Sequence, residues 1–189
     1  IFTSSADPNV MTELVDQLGG VTEIQYMPST GVAQNDIPGT QFLVKRIIRK
    51  SGTQSRYTDY AYYNGSYDFQ HRRALGYEQI DAVLPRSNGV ADSPLLRTNY
   101  YVTHWGLRGL VKERRLYARA TEQRTDNTLS FVPVGTHLTR EVTNYTRTAS
   151  GSRPLRAQKS EARSWELWGA KMVEKRSSYA FNLYNQPTR

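Results

Sequence analysis

The sequence from Gln41 to Lys50 reads QFLVKRIIRK, an apolar run that ends in basic residues. Its length alone does not separate a strand from a helix. Three of its apolar residues, Val44, Ile47 and Ile48, are β-branched, and β-branched side chains favour strands. We therefore predict a strand across this run.

On either side of the run, the spacing of apolar residues predicts helices. The predicted helices are Asp7–Leu18, which ends at a Gly-Gly pair, and the basic segments Leu107–Gln123 and Leu155–Leu183. A short strand is expected at Asn99–Trp105, and the Pro-, Gly- and Thr-rich segments between these elements read as extended or irregular chain. The predicted fold class is α+β or irregular, with a few helices and short strands joined by long extended segments.

The low content of hydrophobic residues bounds the size of the core. Hydrophobic residues make up 38% of the 189 residues, below the roughly 45–50% of an ordinary globular domain. Core burial has to offset about 1–2 kcal/mol of backbone entropy for each ordered residue. We therefore expect no large single core.

Three parts are predicted: residues 1–50 (helix and extended segment), 51–94 (extended Tyr/Arg-rich segment) and 95–189 (a strand and two basic helices).

The charge of the chain predicts an acidic partner. The formal net charge is +8, and the 25 basic residues divide into 19 Arg and 6 Lys. Guanidinium groups bind carboxylates and phosphates through two parallel hydrogen bonds and stack on aromatic rings. Tyrosine, with 13 copies, is enriched together with arginine in protein–protein interfaces. This composition favours a protein that binds other proteins.

The sequence lacks the residue patterns of the common catalytic and metal sites. With no cysteine, the chain has no disulfide, no thiolate ligand and no cysteine nucleophile. Its three histidines, His71, His104 and His137, are 33 residues apart, unlike the close ligand pairs of zinc sites. No phosphate-binding loop or Gly-x-Ser-x-Gly motif occurs. We predict neither an enzyme nor a metal site. No apolar run is long enough for a membrane span. The start at Ile1 instead of Met is compatible with an N-terminal segment that is missing or already removed, and the sequence leaves this open.

The segment Tyr67–Ile80 reads YDFQHRRALGYEQI. It resembles a stretch of phycobilisome rod–core linkers, in which an aromatic–Asp pair leads into a His-Arg-rich run and then a Leu-Gly-aromatic-x-Gln-Ile sequence. The helical linker domain of that family and the small C-terminal domain of rod linkers are not found in this chain. The resemblance covers about 14 of the 189 residues.

That resemblance implies a structural linker of the light-harvesting antenna. Its partners would be phycobiliproteins of the phycocyanin, allophycocyanin and phycoerythrin types, together with other linkers. Its location would be the stromal face of a chloroplast thylakoid or the cytoplasmic side of a cyanobacterial one. Without cysteine the chain would carry no bilin of its own, so no cofactor is expected, although partner bilins would lie nearby. The predicted partner-binding residues are Tyr67, His71, Arg72, Arg73, Leu75, Gly76 and Tyr77, with Arg114 and Arg115 on the predicted basic helix.

Two other functions fit the same composition. The first is a structural protein of a virion, such as a phage capsid or neck component, which would self-associate into symmetric shells or rings. The second is an RNA-binding or ribosome-associated protein, in which arginine and tyrosine would hold phosphates and stack on bases. The even spread of charge and the lack of an RNA-binding consensus motif argue against this second function.

Overall fold

The dominant element is an antiparallel sheet whose ten strands follow one another in the order of the sequence. The computed structural model describes residues 10–85, 93–103, 105–125, 128–148, 156–181 and 187–188. Each strand pairs with the next one along the chain, so every connection is a hairpin. The strands are β1 Glu13–Val15, β2 Val21–Pro28, β3 Phe42–Ser51, β4 Gln54–Asp68, β5 Arg73–Val83, β6 Leu95–Tyr100, β7 Val111–Thr125, β8 Thr128–Thr148, β9 Arg156–Trp168 and β10 Lys171–Ser178.

Two short strands, β11 Ala180–Phe181 and β12 Pro187–Thr188, form a separate pair. In the described part of the chain, the helical segments are two single turns, Ser29–Gly31 and Trp105–Leu107. The predicted mixture of helices and strands is therefore wrong, because the described part of the chain consists mainly of β-strands. The strand predicted at residues 41–50 is confirmed as β3.

All three predicted helices are wrong. Residues 7–9 of the first lie outside the described residues, and the rest of it forms β1 and the turn that follows. The second helix corresponds mainly to β7, and the described part of the third forms β9, β10 and β11. The short strand predicted at Asn99–Trp105 overlaps β6 only at its first two residues, because β6 begins at Leu95 and ends at Tyr100.

Strand β7 shows why apolar spacing pointed to a helix. Its buried residues are Glu113, Tyr117 and Ala120, which stand four and then three positions apart, as on one face of a helix. The pairing of β7 with β8 has two irregularities, between Leu116 and Tyr117 and between Tyr117 and Arg119. In both irregularities the extra residue lies on β8, since one step from Leu116 to Tyr117 matches two on β8 and two steps from Tyr117 to Arg119 match three. The spacing of the buried residues of β7 is therefore the same as on a helix although the segment is a strand.

The buried apolar residues form two clusters on the sheet. The first joins six residues from five successive strands: Ala61, Val83, Leu95, Tyr117, Ala120 and Phe131. The end of the β7–β8 hairpin reaches across the middle strands here, and the backbone N–H of Phe131 donates to the hydroxyl of Tyr63 over 3.0 Å. This contact closes the hairpin end over β4 to β6.

The second cluster lies where the β2–β3 loop covers the middle strands. Val32 and Ile37 of that loop pack with Tyr77 of β5. The loop is also held by backbone hydrogen bonding, because the N–H of Asp36 donates to the carbonyl of Gly65 over 2.8 Å. A side chain at position 65 has no room, since a Cβ atom there would lie 2.1 Å from Oδ1 of Asn35.

We expect Gly65→Ala to lower the free energy of unfolding by about 1–3 kcal/mol, because the new methyl group pushes Asn35 and the loop away from β4. Urea denaturation measures the loss. Gly31→Ala is the control, since a Cβ at that position meets nothing within 4 Å. Equal stability of the two variants would contradict close packing of the loop against β4.

Candidate functional site on the ionic face of the sheet

Cross-strand pairing brings charged side chains onto one side of the sheet. Asp81 lies opposite Arg97, Arg97 opposite Arg115, and Arg115 opposite Arg140. Residues directly opposite each other in an antiparallel sheet project to the same face. We call this side the ionic face. The row crosses β5 to β8 and continues to Trp165 on β9.

A second row lies two residues along the strands and therefore on the same face. Glu113 is opposite Val142, Val142 opposite Arg163, and Arg163 opposite Arg176. The ion pairs of this face extend across the sheet from β2 to β10. They are Lys50–Glu23, Arg46–Asp59, Arg97–Asp81, Arg115–Glu113, Arg140–Glu113, Arg163–Glu161 and Arg176–Glu161.

The pair of Asp81 and Arg97 is the most buried of these. Asp81 is fully buried, and Arg97 donates to it twice, from Nε to Oδ1 at 2.9 Å and from Nη2 to Oδ2 at 2.8 Å. The same Nη2 donates to the carbonyl of Phe131 at 3.1 Å. Burial raises the pKa of Asp81, although hydrogen bonds from Arg97 oppose the shift. Burial and the nearby Asp81 also raise the pKa of the Tyr63 phenol to about 12. This pair lies beneath the β7–β8 hairpin end and holds it.

Glu113 is the centre of a second group. Its carboxylate accepts from both Nε and Nη2 of Arg115, each at 3.0 Å, and from Nε of Arg140 at 2.6 Å. Burial alone would raise the pKa of Glu113, but the hydrogen bonds from Arg140 and Arg115 outweigh it and lower the pKa. Burial and the charges of Arg115 and Arg140 lower the pKa of His137. With two arginines and one carboxylate, this group has one excess positive charge.

Glu161 is the centre of a third group, near the far edge of the sheet. Nε of Arg163 lies 3.1 Å from Oε1 of Glu161, and Arg176 pairs with the same oxygen. These partners, with Arg163 first, lower the pKa of Glu161. Next to this group, the guanidinium carbon of Arg140 lies 4.8 Å from the centre of the Trp165 ring, in the range of a cation–π contact.

The second and third groups form a continuous patch on β7 to β10, which we call the arginine strip. It contains four guanidinium groups and three carboxylates, because Glu174 lies opposite Trp165 on the same face, so it carries one excess positive charge. The arginine side chains are 34%, 36%, 37% and 60% exposed in the order of the sequence. The residues of the strip are Glu113, Arg115, Arg140, Glu161, Arg163, Trp165, Glu174 and Arg176.

Four of the predicted partner-binding residues meet at the β4–β5 turn. Tyr67 packs edge-on against Phe69, with ring centres 5.0 Å apart. His71 contacts Asp68, with Nδ1 2.8 Å from Oδ2. Arg72 and Arg73 are exposed beside them. The turn therefore presents an exposed aromatic and basic tip, and contact of this tip with a partner stays a prediction.

The other residues of the predicted motif have structural places in β5. Leu75 and Tyr77 are 7% and 8% exposed, and Tyr77 packs in the second apolar cluster with Val32 and Ile37. Gly76 has φ of +97°, a conformation that L-residues other than glycine rarely adopt. Packing and backbone geometry thus account for these three residues without a partner.

Arg114 and Arg115 were predicted on the basic face of one helix. In β7 they are neighbours on a strand, so their side chains point to opposite faces. Arg115 lies on the ionic face and bonds Glu113, whereas Arg114 is exposed on the other face, opposite Thr98 and Glu141. The structure therefore separates these two residues.

Sequence reasoning missed most of the arginine strip. A signal was present in the Glu-x-Arg spacing of Glu113 with Arg115 and of Glu161 with Arg163, because residues two apart share one face of a strand. Assigning these segments to helices concealed that relation. The partners Arg140 and Arg176 come from other strands, and only the pairing register places them beside these glutamates.

The described residues contain no group of three or more His, Asp or Glu side chains placed to hold a metal ion. Within the same residues, no helix has the length and apolar character needed to cross a membrane.

Comparisons with known proteins place the fold. No family model and no curated protein matches the chain. Solved structures that match include a TcdB2-TccC3-TEV chain, with a TM-score of 0.69, 12% identity and coverage of 95% of this chain and 12% of the other. A chain of the Photorhabdus luminescens Tc holotoxin pore gives a TM-score of 0.69 and 12% identity over 94% of this chain and 11% of the other.

A third match, TcdB2-TccC3 without its hypervariable C-terminal region, has a TM-score of 0.61 and 12% identity and covers 84% of this chain and 10% of the other. The chain thus spans about a tenth of the length of the structures it resembles. At this identity the likeness establishes a shared sheet architecture and leaves the function open.

We expect Arg97→Met to lower the free energy of unfolding by about 3–5 kcal/mol, because it leaves the buried Asp81 carboxylate without its partner. Urea denaturation measures the loss, and Asp81→Asn in the same chain should restore part of it. Arg114→Met removes an exposed arginine from the opposite face and serves as the control. A loss no larger than that of the control would show that the pair does not hold the hairpin end.

The lowered pKa of Glu113 predicts how the free energy of unfolding depends on pH. Its pKa is lower in the folded chain than the ordinary value of 4.5, so its ionised form stabilises the fold above about pH 4.5. That stabilisation is lost as the pH falls through the lowered folded pKa. We expect Glu113→Gln to flatten this part of the acid unfolding curve, measured by urea denaturation at a series of pH values. An unchanged slope would contradict the pairing of Glu113 with its two arginines.

Proposed function

We propose that this chain is a structural, non-catalytic stretch of a longer protein, in which the sheet continues beyond both of its edge strands. The observation that carries this proposal is the position of the exposed apolar side chains. Of the 11 large hydrophobic residues that are exposed in the described part, seven lie at or next to the two edges of the sheet: Met11, Leu14, Val15, Leu18, Trp168, Val173 and Tyr179.

The edge at β1 is the more apolar of the two. Leu14 and Val15 are 52% and 51% exposed, and Leu18 in the following turn is 97% exposed. Natural sheets protect free edges with charged residues, proline or covering segments, because an open edge pairs with other chains. An apolar edge of this kind is typical of a strand that has a neighbour. We infer that a further strand pairs with β1.

The edge at β10 combines apolar and charged residues. Val173 is 55% exposed, and Trp168 at the β9–β10 turn is 69% exposed. Within the described residues β10 pairs with β9 alone. Its other side therefore presents the unpaired backbone groups that a neighbouring strand would bind. A strand added here would extend the same antiparallel order.

The solved structures support this proposal because this chain matches only a small part of the length of each of them. The chain corresponds to 12% of the TcdB2-TccC3-TEV chain and 11% of the Tc holotoxin chain. A stretch within so long a chain can have sequence neighbours at both edges. By analogy, the present chain would belong to a large protein comparable to TccC3.

The chemistry of the ionic face supports a structural role. Asp81, Glu113 and Glu161 each form ion pairs with arginines of the sheet, and these partners lower the pKa of Glu113 and of Glu161. The rows of pairs cross the strands at right angles and hold neighbouring strands together. We infer that such a sheet has a supporting, structural role.

The edges can be tested by changing their apolar side chains. We expect the isolated 189-residue chain to self-associate as its concentration rises, because each edge pairs with another copy. Leu14→Lys with Val173→Lys should reduce that association, since lysine protects free edges. Sedimentation velocity over a concentration series measures it.

The control is Thr139→Lys with Ser164→Lys, which changes two partly exposed residues of β8 and β9 that have strand partners on both sides. It adds the same charge away from the edges. A chain that stays monomeric at every concentration, or equal effects of the two double variants, would contradict the proposed continuation of the sheet.

A further inference from the structure

We propose that the arginine strip binds an acidic polypeptide segment, whose carboxylates accept hydrogen bonds from the guanidinium groups that Glu113 and Glu161 only partly occupy. The strip lies on a face of the sheet, whereas the proposed function concerns its edges. The two proposals can therefore fail separately.

The first argument is the ratio of charges in the strip. Glu113 and Glu161 each pair with two arginines, and the third carboxylate, Glu174, lies opposite Trp165. A guanidinium group carries five N–H donors, so the four groups offer many more donors than three carboxylates can accept. The side chains are a third to more than a half exposed, which leaves donors accessible to an added carboxylate.

The second argument is the placement of like charges opposite one another. Arg115 faces Arg140, and Arg163 faces Arg176 across neighbouring strands. Like charges in directly opposite positions destabilise a sheet. Burial, together with the charges of Arg115 and Arg140, lowers the pKa of the nearby His137. Glu113 and Glu161 each bridge one of these pairs, and an added anion would offset the positive charge that remains.

The third argument concerns the kind of anion. The strip already binds carboxylates, and Arg115 does so through two parallel hydrogen bonds to Glu113, the geometry typical of arginine–carboxylate pairs. Trp165 supports the guanidinium group of Arg140 from one side. The strip therefore favours further carboxylates, supplied by aspartate and glutamate side chains.

The spacing of the arginines fits an extended segment. Trp165 is opposite Arg140, and Arg163 is two residues from Trp165, so Arg140 and Arg163 are diagonal neighbours, about 7–8 Å apart at the backbone. Alternate residues of an extended chain are about 6.6–6.8 Å apart and point to the same side. A segment with an acidic residue at every second position therefore places its carboxylates near successive arginines of the strip.

The test uses the 189-residue chain and a fluorescently labelled peptide of alternating glutamate and serine. We expect saturable binding that weakens as salt increases, and no binding of a matched peptide of glutamine and serine. Arg163→Gln with Arg176→Gln should weaken binding at least about tenfold, because charge-assisted hydrogen bonds at two positions are lost. Fluorescence anisotropy measures the affinity, and circular dichroism confirms that the variant is folded.

The matched control is Arg49→Gln with Arg56→Gln. These two exposed arginines also lie opposite each other, but on the other face of β3 and β4, so the control removes the same charge away from the strip. We expect a much smaller effect on binding. Arg163→Lys with Arg176→Lys keeps the charge and should still weaken binding, because lysine lacks the planar fork of donors.

Three results would overturn the proposal. The first is the absence of saturable binding of the glutamate–serine peptide to the folded chain. The second is an equal loss of affinity in the two glutamine variants, which would make the attraction a property of the net charge alone. The third is tighter binding of a single-stranded oligonucleotide of equal charge, which would assign the strip to phosphate groups instead of an acidic polypeptide.

Discussion

The fold depends on carboxylates that are buried within a sheet and neutralised by arginines from neighbouring strands. Asp81 is the clearest case, because it is fully buried and a single arginine, Arg97, supplies two of its hydrogen bonds. Arg97 also bonds the carbonyl of Phe131, so the ion pair and the hairpin end stabilise each other. A low hydrophobic content suffices here because paired charges occupy positions that apolar residues take in most sheets.

The same chemistry has two consequences across the sheet. At β5 and β6 the ion pair is covered by the β7–β8 hairpin and its role is structural. From β7 to β10 the pairs become progressively more exposed, and arginines outnumber carboxylates. One pattern of alternating charged residues therefore gives a buried ionic core at the middle of the sheet and an accessible cationic strip near one edge. The excess of arginine over lysine is consistent with both uses.

The sequence predicted part of the candidate site and misplaced the rest. Arg115 was singled out for its charge, and it does lie in the arginine strip. Arg114 was grouped with it because a helix would place both on one basic face, whereas a strand directs neighbouring side chains to opposite sides. Leu75 and Tyr77, assigned to a partner-binding motif, are buried within the chain. A linear motif does not reveal whether its apolar residues face a partner or the interior.

The sequence by itself determined the chemical character of the protein: basic, rich in arginine and tyrosine, without cysteine and poor in aliphatic residues. It also determined the strand at residues 41–50, because β-branched residues there have a local preference for extended backbone. The tertiary structure alone decided that Glu113, Tyr117 and Ala120 are buried residues of one strand, and that Arg140 and Arg176 lie beside glutamates on other strands. The reason is physical: strand register is set by pairing between distant segments, so no local preference encodes which charges meet.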